Sequence, residues 1–490
     1  MASPPLNAQS TSSEVAFDRA DVQRLALSGH GDYGSASFEL FRVVDAAKVR
    51  ALAGRLADRV STLDSDRKTD TRLQVAFSAL GIGALGLDPA SQKTFPVEFQ
   101  RGMAERAHAL GDDRSDVASW DYGGGNPVHV MFMLYARSDD ALERFVAEIC
   151  AEARASGLQH VASQPTLRYE HKSRIFEHFG FRDGLSQPSI AGQSGGGERV
   201  EDGTPGPGVG HPVAMGEVVL GQPNGYGYRT IGPNVDSALD RTGVLLDFLS
   251  EGKKDLGAHG TYLVVRKLEQ DVAGFWNAID AAASDMGVES EWLAARMVGR
   301  WKNGSSVVDY PHEPGPAPDA KTPGLSYAGD RHGHRCPIGA HVRRANPRDD
   351  LGDDAERSLE LVARHRLHRR GRVYGPRAAN LRVDDRQKRG LVFMAVGSSI
   401  RRQFEFVQNV WVTNTCFNRL HGEDDPVVGP RAPAFFGAGS GQHGAQGSPF
   451  TLPAFPLRRV VPGLPRFVTT RGGEYFFVPS CRALRFLAAL

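Results

Sequence analysis

The 490-residue sequence has no apolar run approaching the roughly 18 residues of a membrane-spanning helix. It has only four cysteines, Cys150, Cys336, Cys416 and Cys481, and no CxxC pair, which argues against a zinc ribbon, a cluster ferredoxin or a thioredoxin motif. CxxCH is absent too, so no haem is attached through the c-type thioether motif. Thiols scattered in this way are expected to be reduced and partly buried. A charge excess is also lacking: 58 Lys and Arg against 57 Asp and Glu leave a net charge of +1. That balance argues against nucleic acid as the main partner. The opening residues, MASPPLNAQSTSSEVAFDRADVQ, lack a basic segment followed by an apolar one, so no secretory signal is read and a cytoplasmic location is expected.

What the chain has is length and, with 40% hydrophobic residues, enough apolar content for two or three domains. SFELFRVV (37–44) alternates as a strand does, and residues 45–60 follow with helical spacing. Further strands are expected at RLQVAFSAL (72–80), NPVHVMFMLYA (126–136) and PTLRYEHKSR (165–174), with helices near 96–111 and over 139–157. The order β-α-β-(α)-β-α-β is ferredoxin-like. A similar order recurs later, with strands at 260–268, 365–375, 390–400 and 474–480 and helices at 269–284, 401–412 and 481–490. The expected architecture is therefore α+β with two ferredoxin-like domains. A flexible tail (1–35) leads to an N-terminal domain (36–191), a Gly/Pro-rich linker (192–235) and a C-terminal domain (236–490).

Several motifs carry little chemistry. GIGALG (81–86) matches GxGxxG, but LDPASQ follows it and no acid ends a second apolar strand about 20 residues on. It reads as a strand-to-helix turn. HGHRC (332–336) is spaced too tightly for a usual zinc site, and solvated loop histidines are expected. In YEHKSRIFEHFG, His171 and His178 would share a face with Glu177 nearby if the segment were helical, as a metal site or as polar decoration. Asn303-Gly304-Ser305 is a glycosylation sequon that means little without a secretory route.

Other stretches are harder to read as plain structure. In CPIGAHVRRANPRDD (336–350), His341 lies among small and apolar residues ahead of Arg343, Arg344 and Arg348. A buried imidazole beside arginines makes sense if His341 binds an iron and an arginine meets an anionic group of the same cofactor, such as a haem propionate. In HRLHRRGRVYG (365–375), alternation sends Leu367 and Arg369 one way and His368 and Arg370 the other. This is either an edge strand with solvated charges or a fixed positive charge aimed into a cavity. Leu391 and Phe393 share a strand face and suit core packing or the lining of a large flat cofactor equally. FGFRDGLSQPS (179–189) places Asp183 in an Asp-Gly turn, which is either only a turn or a catalytic carboxylate on a stiff loop.

In combination and in order, GFRDG (180–184), CPIGAHVRRANPRD, RRGRVYG and GLVFMAVGSSIRRQFEFVQ resemble the dye-decolorising peroxidases, a family of haem peroxidases, in its larger-chain branch. The resemblance spans residues 20–490. It implies two ferredoxin-like domains, with one non-covalent haem b per chain held mainly by the second. It implies His341 as the proximal iron ligand, Asp183 as the distal catalytic carboxylate and Arg369 as the distal arginine, also touching the cofactor. Leu391 and Phe393 would shape the distal pocket, Arg343 and Arg348 would meet the haem, and Asp425 would accept a hydrogen bond from the proximal imidazole. Some shorter family members have an asparagine two residues after the distal arginine; Gly371 stands there here, which favours an Asp–Arg pair alone. The implied activity is reduction of hydrogen peroxide coupled to one-electron oxidation of anthraquinone or azo dyes and phenolics. An aspartate base stays ionised at lower pH than a histidine base, so an acidic optimum is expected. The other reading is a non-enzymatic haem carrier, which needs His341 but not Asp183 with Arg369.

Overall fold

The computed structural model describes residues 16–65, 68–112, 117–172, 174–193, 212–319, 324–429 and 447–490. Among these, runs of β-branched and aromatic residues form nine strands of one sheet. They are β1 (Ser35–Val43), β2 (Thr71–Phe77), β3 (Val130–Ala136), β4 (Leu158–Thr166), β5 (Thr261–Gln270), β6 (His368–Arg369), β7 (Arg372–Tyr374), β8 (Gly390–Gly397) and β9 (Val468–Val478). The order is β6-β8-β5-β9-β2-β3-β1-β4, with β7 also paired to β8. Every pairing is antiparallel. The N-terminal strands thus run β4-β1-β3-β2 and the C-terminal ones β9-β5-β8-β6, the ferredoxin-like order twice. The halves join where Phe477 faces Phe77. At the far ends, Leu167 N donates to Val373 O at 2.7 Å, just beyond β4 and on β7, so the sheet closes into a barrel.

Alternation sorts the side chains. Phe38, Met133, Val265, Val392, Met394 and Phe476 meet in the interior, shared by both halves. The outer face is covered by α1 (Ala46–Arg59), α2 (Asp139–Ala155), α3 (Val272–Met286) and α5 (Cys481–Ala488), while α4 (His341–Ala345) is a short turn beside the C-terminal half. Side chains of Asp45, Ser138, Asp271 and Ser480 cap the longer helices by accepting backbone N–H groups. No helix among the described residues is long and apolar enough to cross a membrane.

Packing departs from the expected boundaries. Residues 1–15 of the expected tail lie outside the described residues, but its later part is built into the fold. Val22 and Leu25 are fully buried, and the Gln23 amide donates to Val75 O and Pro479 O. Residues 194–211 of the expected linker likewise lie outside, whereas Val218, Val219 and Leu220 beyond them are fully buried. The last N-terminal strand is Leu158–Thr166 rather than 165–174. Its one regular ladder partner is β1, with only the Leu167–Val373 bridge on the other side, and its outer face is mostly polar, so it lacks the apolar alternation that marks the others. Glu170–His171 pairs with Arg174–Ile175 as a small hairpin, not a helix, so His171 and His178 share no helical face. GIGALG lies on a short helix (Ala79–Ala84) capped by Ser78. A Cβ at Gly81 would sit 2.0 Å from His129 O, so that glycine serves close packing. His332 and His334 are exposed.

Candidate active site

The outward face of the C-terminal strands lines a cavity of about 350 Å³, within the range of pockets that hold small molecules and cofactors. Leu391 and Phe393 of β8, Leu268 of β5 and Val468 of β9 give it an apolar wall. Leu367 and Arg369 also reach it, whereas His368 is buried on the other side of its strand. Arg370 turns away, and its Nε donates to Leu25 O at 3.0 Å. Beside these strands the chain winds as π-helical turns (Arg401–Glu405 and Val407–Val412), which bring Phe404, Val407 and Trp411 to the cavity.

His341 opens α4 and lines the cavity. Its Nδ1 lies 2.9 Å from Oδ2 of the fully buried Asp425. A carboxylate only accepts, so Nδ1 carries the proton and Nε2 keeps its lone pair. Asp425 Oδ1 is fixed in turn by the N–H groups of Val427 and Val428 at 2.8 and 2.9 Å. Burial disfavours a charged imidazole, but the charge and hydrogen bond of Asp425 outweigh it and raise the His341 pKa. Burial likewise penalises the Asp425 carboxylate, yet His341 holds its pKa below the usual range.

Asp183 sits on a loop whose shape depends on two glycines in the left-handed region, Gly180 (φ +95°) and Gly184 (φ +78°). Its Oδ1 accepts from Gly184 N at 2.6 Å. Two residues on, Leu185 O accepts from Arg369 Nη2 at 2.6 Å. Gln187 then bonds both the N–H and the carbonyl of Arg369, each at 3.2 Å. The loop bearing Asp183 is thereby fastened to the strand bearing Arg369, and both residues line the cavity with His341.

Glu177, read from the sequence as a companion of His171 and His178 in a metal site or in polar decoration, is the residue that shapes this loop. Its carboxylate accepts from the N–H groups of Phe179 and Phe181, both at 2.8 Å, and from Gln270 Nε2 at 2.7 Å. The available signal was an acid two and four residues ahead of backbone donors in a turn-rich segment. Its exposed edge faces the cavity rather than bulk solvent, and desolvation, aided by the charge of Asp183, pushes its carboxyl up to about 7. A folded pKa raised from 4.5 means that folding favours the protonated acid. That contribution is complete at pH values below the unfolded pKa and is lost as pH rises through about 7. The unfolding free energy of the wild type is therefore expected to drop across this window, by roughly 3 kcal/mol for a carboxyl raised from 4.5 to about 7. Glu177→Gln should flatten the slope, as read by urea unfolding at several pH values.

The two expected cofactor arginines divide. Arg348 reaches the cavity, where Arg300, Arg366 and Arg466 add further positive charge. Arg343 does not. It stands two residues, about 200° of helix, from His341. It is fully buried, with Nε on Asp350 Oδ2 at 2.9 Å, Nη1 on Cys336 O at 2.6 Å and Nη2 on Asp330 O at 2.9 Å. Its expected contact with a cofactor is thus replaced by a structural role. Arg343→Ala would strand two buried carboxylates and is expected to cost about 3–5 kcal/mol in urea unfolding, with cofactor content of the folded fraction unchanged. At Gly371 a Cβ would lie 2.8 Å from Val392 O, so this backbone has no room for a third polar side chain there.

Residues 36–168 match a family model described as the DyP dimeric alpha+beta barrel domain. The chain is 29% identical to a dye-decolorizing peroxidase of Mycena epipterygia, over 92% of this chain and 84% of the relative. It is also 29% identical to dye-decolorizing peroxidase msp1 of Mycetinis scorodonius, over 98% and 90% of the respective chains. A solved dye-decolorizing peroxidase in complex with 2,6-dimethoxyphenol superposes with a TM-score of 0.76 at 25% identity, covering 97% of this chain and all of that one. Together these matches support a DyP-type peroxidase. The barrel of two ferredoxin-like halves is the fold of this peroxidase family, and the cavity lies mostly against the second half. The donor set fits the haem that such peroxidases carry: one imidazole with a free lone pair, an apolar strand wall and several arginines for anionic edges.

Proposed function

We propose that this dye-decolorizing peroxidase uses Asp183 and Arg369 to reduce hydrogen peroxide at a haem b held by His341. The observation that carries the reading is one cavity shared by a carboxylate, a guanidinium and a carboxylate-anchored imidazole. His341 would supply its Nε2 lone pair to the iron, Leu391 and Phe393 would pack on the ring, and Arg348 would meet an anionic edge. Haem supplies the redox chemistry when bound. Asp183 takes the proton from one peroxide oxygen and returns it to the other, which leaves as water. Arg369, held at a fixed place by Leu185 O, stabilises the negative charge that develops as the O–O bond breaks. The turnover balances as one peroxide and two one-electron donors, each giving an electron and a proton, to two waters and two organic radicals. Phenolics and dyes are the proposed donors, in line with the dimethoxyphenol complex of the related enzyme.

The visible spectrum of the purified, haem-loaded protein before and after peroxide tests this. A Soret band that changes on peroxide and returns on adding a phenol is expected. A Soret band indifferent to peroxide would leave the carrier reading.

A further inference from the structure

Away from the cavity, we propose that Glu39, Cys150 and His160 form a second site that binds a zinc-class divalent cation. Their ligand atoms lie within 4.8 Å of one another and come from three elements, β1, α2 and β4. His160 Nε2 is 2.9 Å and Cys150 Sγ is 3.9 Å from Glu39 Oε2. Zinc bonds of about 2.0–2.1 Å to N and O and about 2.3 Å to S imply tetrahedral edges of about 3.3 Å and about 3.6 Å; the two edges to Glu39 are within a few tenths of an ångström of these, and the third pair lies within 4.8 Å. Carboxylate, imidazole and thiolate together suit zinc; calcium and magnesium prefer oxygen alone. Three protein ligands leave a fourth position for water. Ser163 Oγ, 2.6 Å from the Glu39 carboxylate and 3.1 Å from His160 Nε2, stands ready to orient it. The Glu39 side chain is 1% exposed and that of His160 33%, so the site is anchored at one end and open to ions at the other.

The backbone supplies an independent observation. Along the β1–β4 pairing, Glu39 faces Ser163, Leu40 faces Ala162 and Phe41 faces His160, so Val161 is an extra residue. In a regular strand, residues three apart point to opposite faces. The bulge instead brings both His160 and Ser163 to Glu39, beneath α2. Bulges are found at sheet edges and beside functional sites, where they re-aim a side chain. A carboxylate buried between sheet and helix is costly unless partnered, and this bulge assembles its partners.

Full-length, haem-loaded protein stripped with EDTA and titrated with zinc chloride is expected to retain about one zinc per chain by elemental mass spectrometry. Zinc should also protect Cys150 from iodoacetamide. Cys150→Ala and His160→Gln should each weaken zinc binding beyond the 10–100-fold typical of losing a residue that only orients a ligand. His160→Gln, at a partly exposed position, carries the comparison should Cys150→Ala fold poorly. Peroxide turnover should persist in both variants, which separates this site from the peroxidase reading. Retention of no zinc by the wild type, wild-type affinity in the variants, or loss of binding in a His332→Ala/His334→Ala double variant would each overturn the proposal and leave the cluster a hydrogen-bonded clasp.

Discussion

Replacing His341 with alanine is expected to remove the Soret band of the reconstituted protein and, with it, peroxide turnover. Among the cavity-lining groups, His341 is the one whose second nitrogen is locked to a buried carboxylate, which leaves a directed lone pair. A partner that only orients such a ligand is worth about 10–100-fold in affinity or activity. Asp425→Asn should fall in that range, and loss of the imidazole itself should exceed it. His341 sits at the start of a five-residue helix and is only half-buried, so the variant should keep its fold by circular dichroism. An unchanged Soret band with full activity would dismiss His341 as the iron ligand.

Asp183→Asn is expected to lower the rate of reaction with peroxide by roughly 10²–10⁴-fold, the usual worth of a positioned acid–base group. The amide keeps the shape of the side chain and its hydrogen bond from Gly184, so the loop should survive. Arg369→Leu removes charge stabilisation, worth about 10²–10³-fold for a single donor, and also releases Leu185 O. Stopped-flow mixing with peroxide ranks the two. If the arginine variant is the slower, water relays the proton and charge stabilisation sets the rate. If both react as fast as the wild type, neither is the distal machinery.

Much of the scaffold was legible because buried strands carry their own signature. The runs at 130–136 and 390–397 are apolar over nearly their whole length, and 262–265 is an apolar run inside 261–270. Strand β4 was misplaced because a single regular ladder tolerates a polar face and Pro165. The π-helical turns at 401–412 were expected simply as helix, since one added residue per turn leaves no mark on composition. At the site, alternation put Arg369 on a face with Leu367, and Leu391 on a face with Phe393, and all four line the one cavity; that the two faces meet was implied by the resemblance alone. Choosing between Arg343 and Arg348 needed the helix phase and the buried Asp330 and Asp350, which lie apart in sequence from His341 or cannot be assigned a direction from it. Glu177 stayed hidden because its partners are mainly backbone N–H groups, and every residue but proline has one.

The position of β9 has a consequence for biosynthesis. The last strand of the sheet in chain order is inserted between β5 and β2, and α5 just after it packs on α1. While residues 468–478 are still within the ribosome, both half-sheets present an unpaired edge and the barrel cannot close. Pairing over such sequence separations is slow. Asp183, His341 and Arg369 are all synthesised earlier, yet the wall that Val468 and Thr470 contribute to their cavity arrives only with β9. The cavity wall is therefore incomplete until β9 is made, and until then the edges of β5 and β2 stand open to pairing.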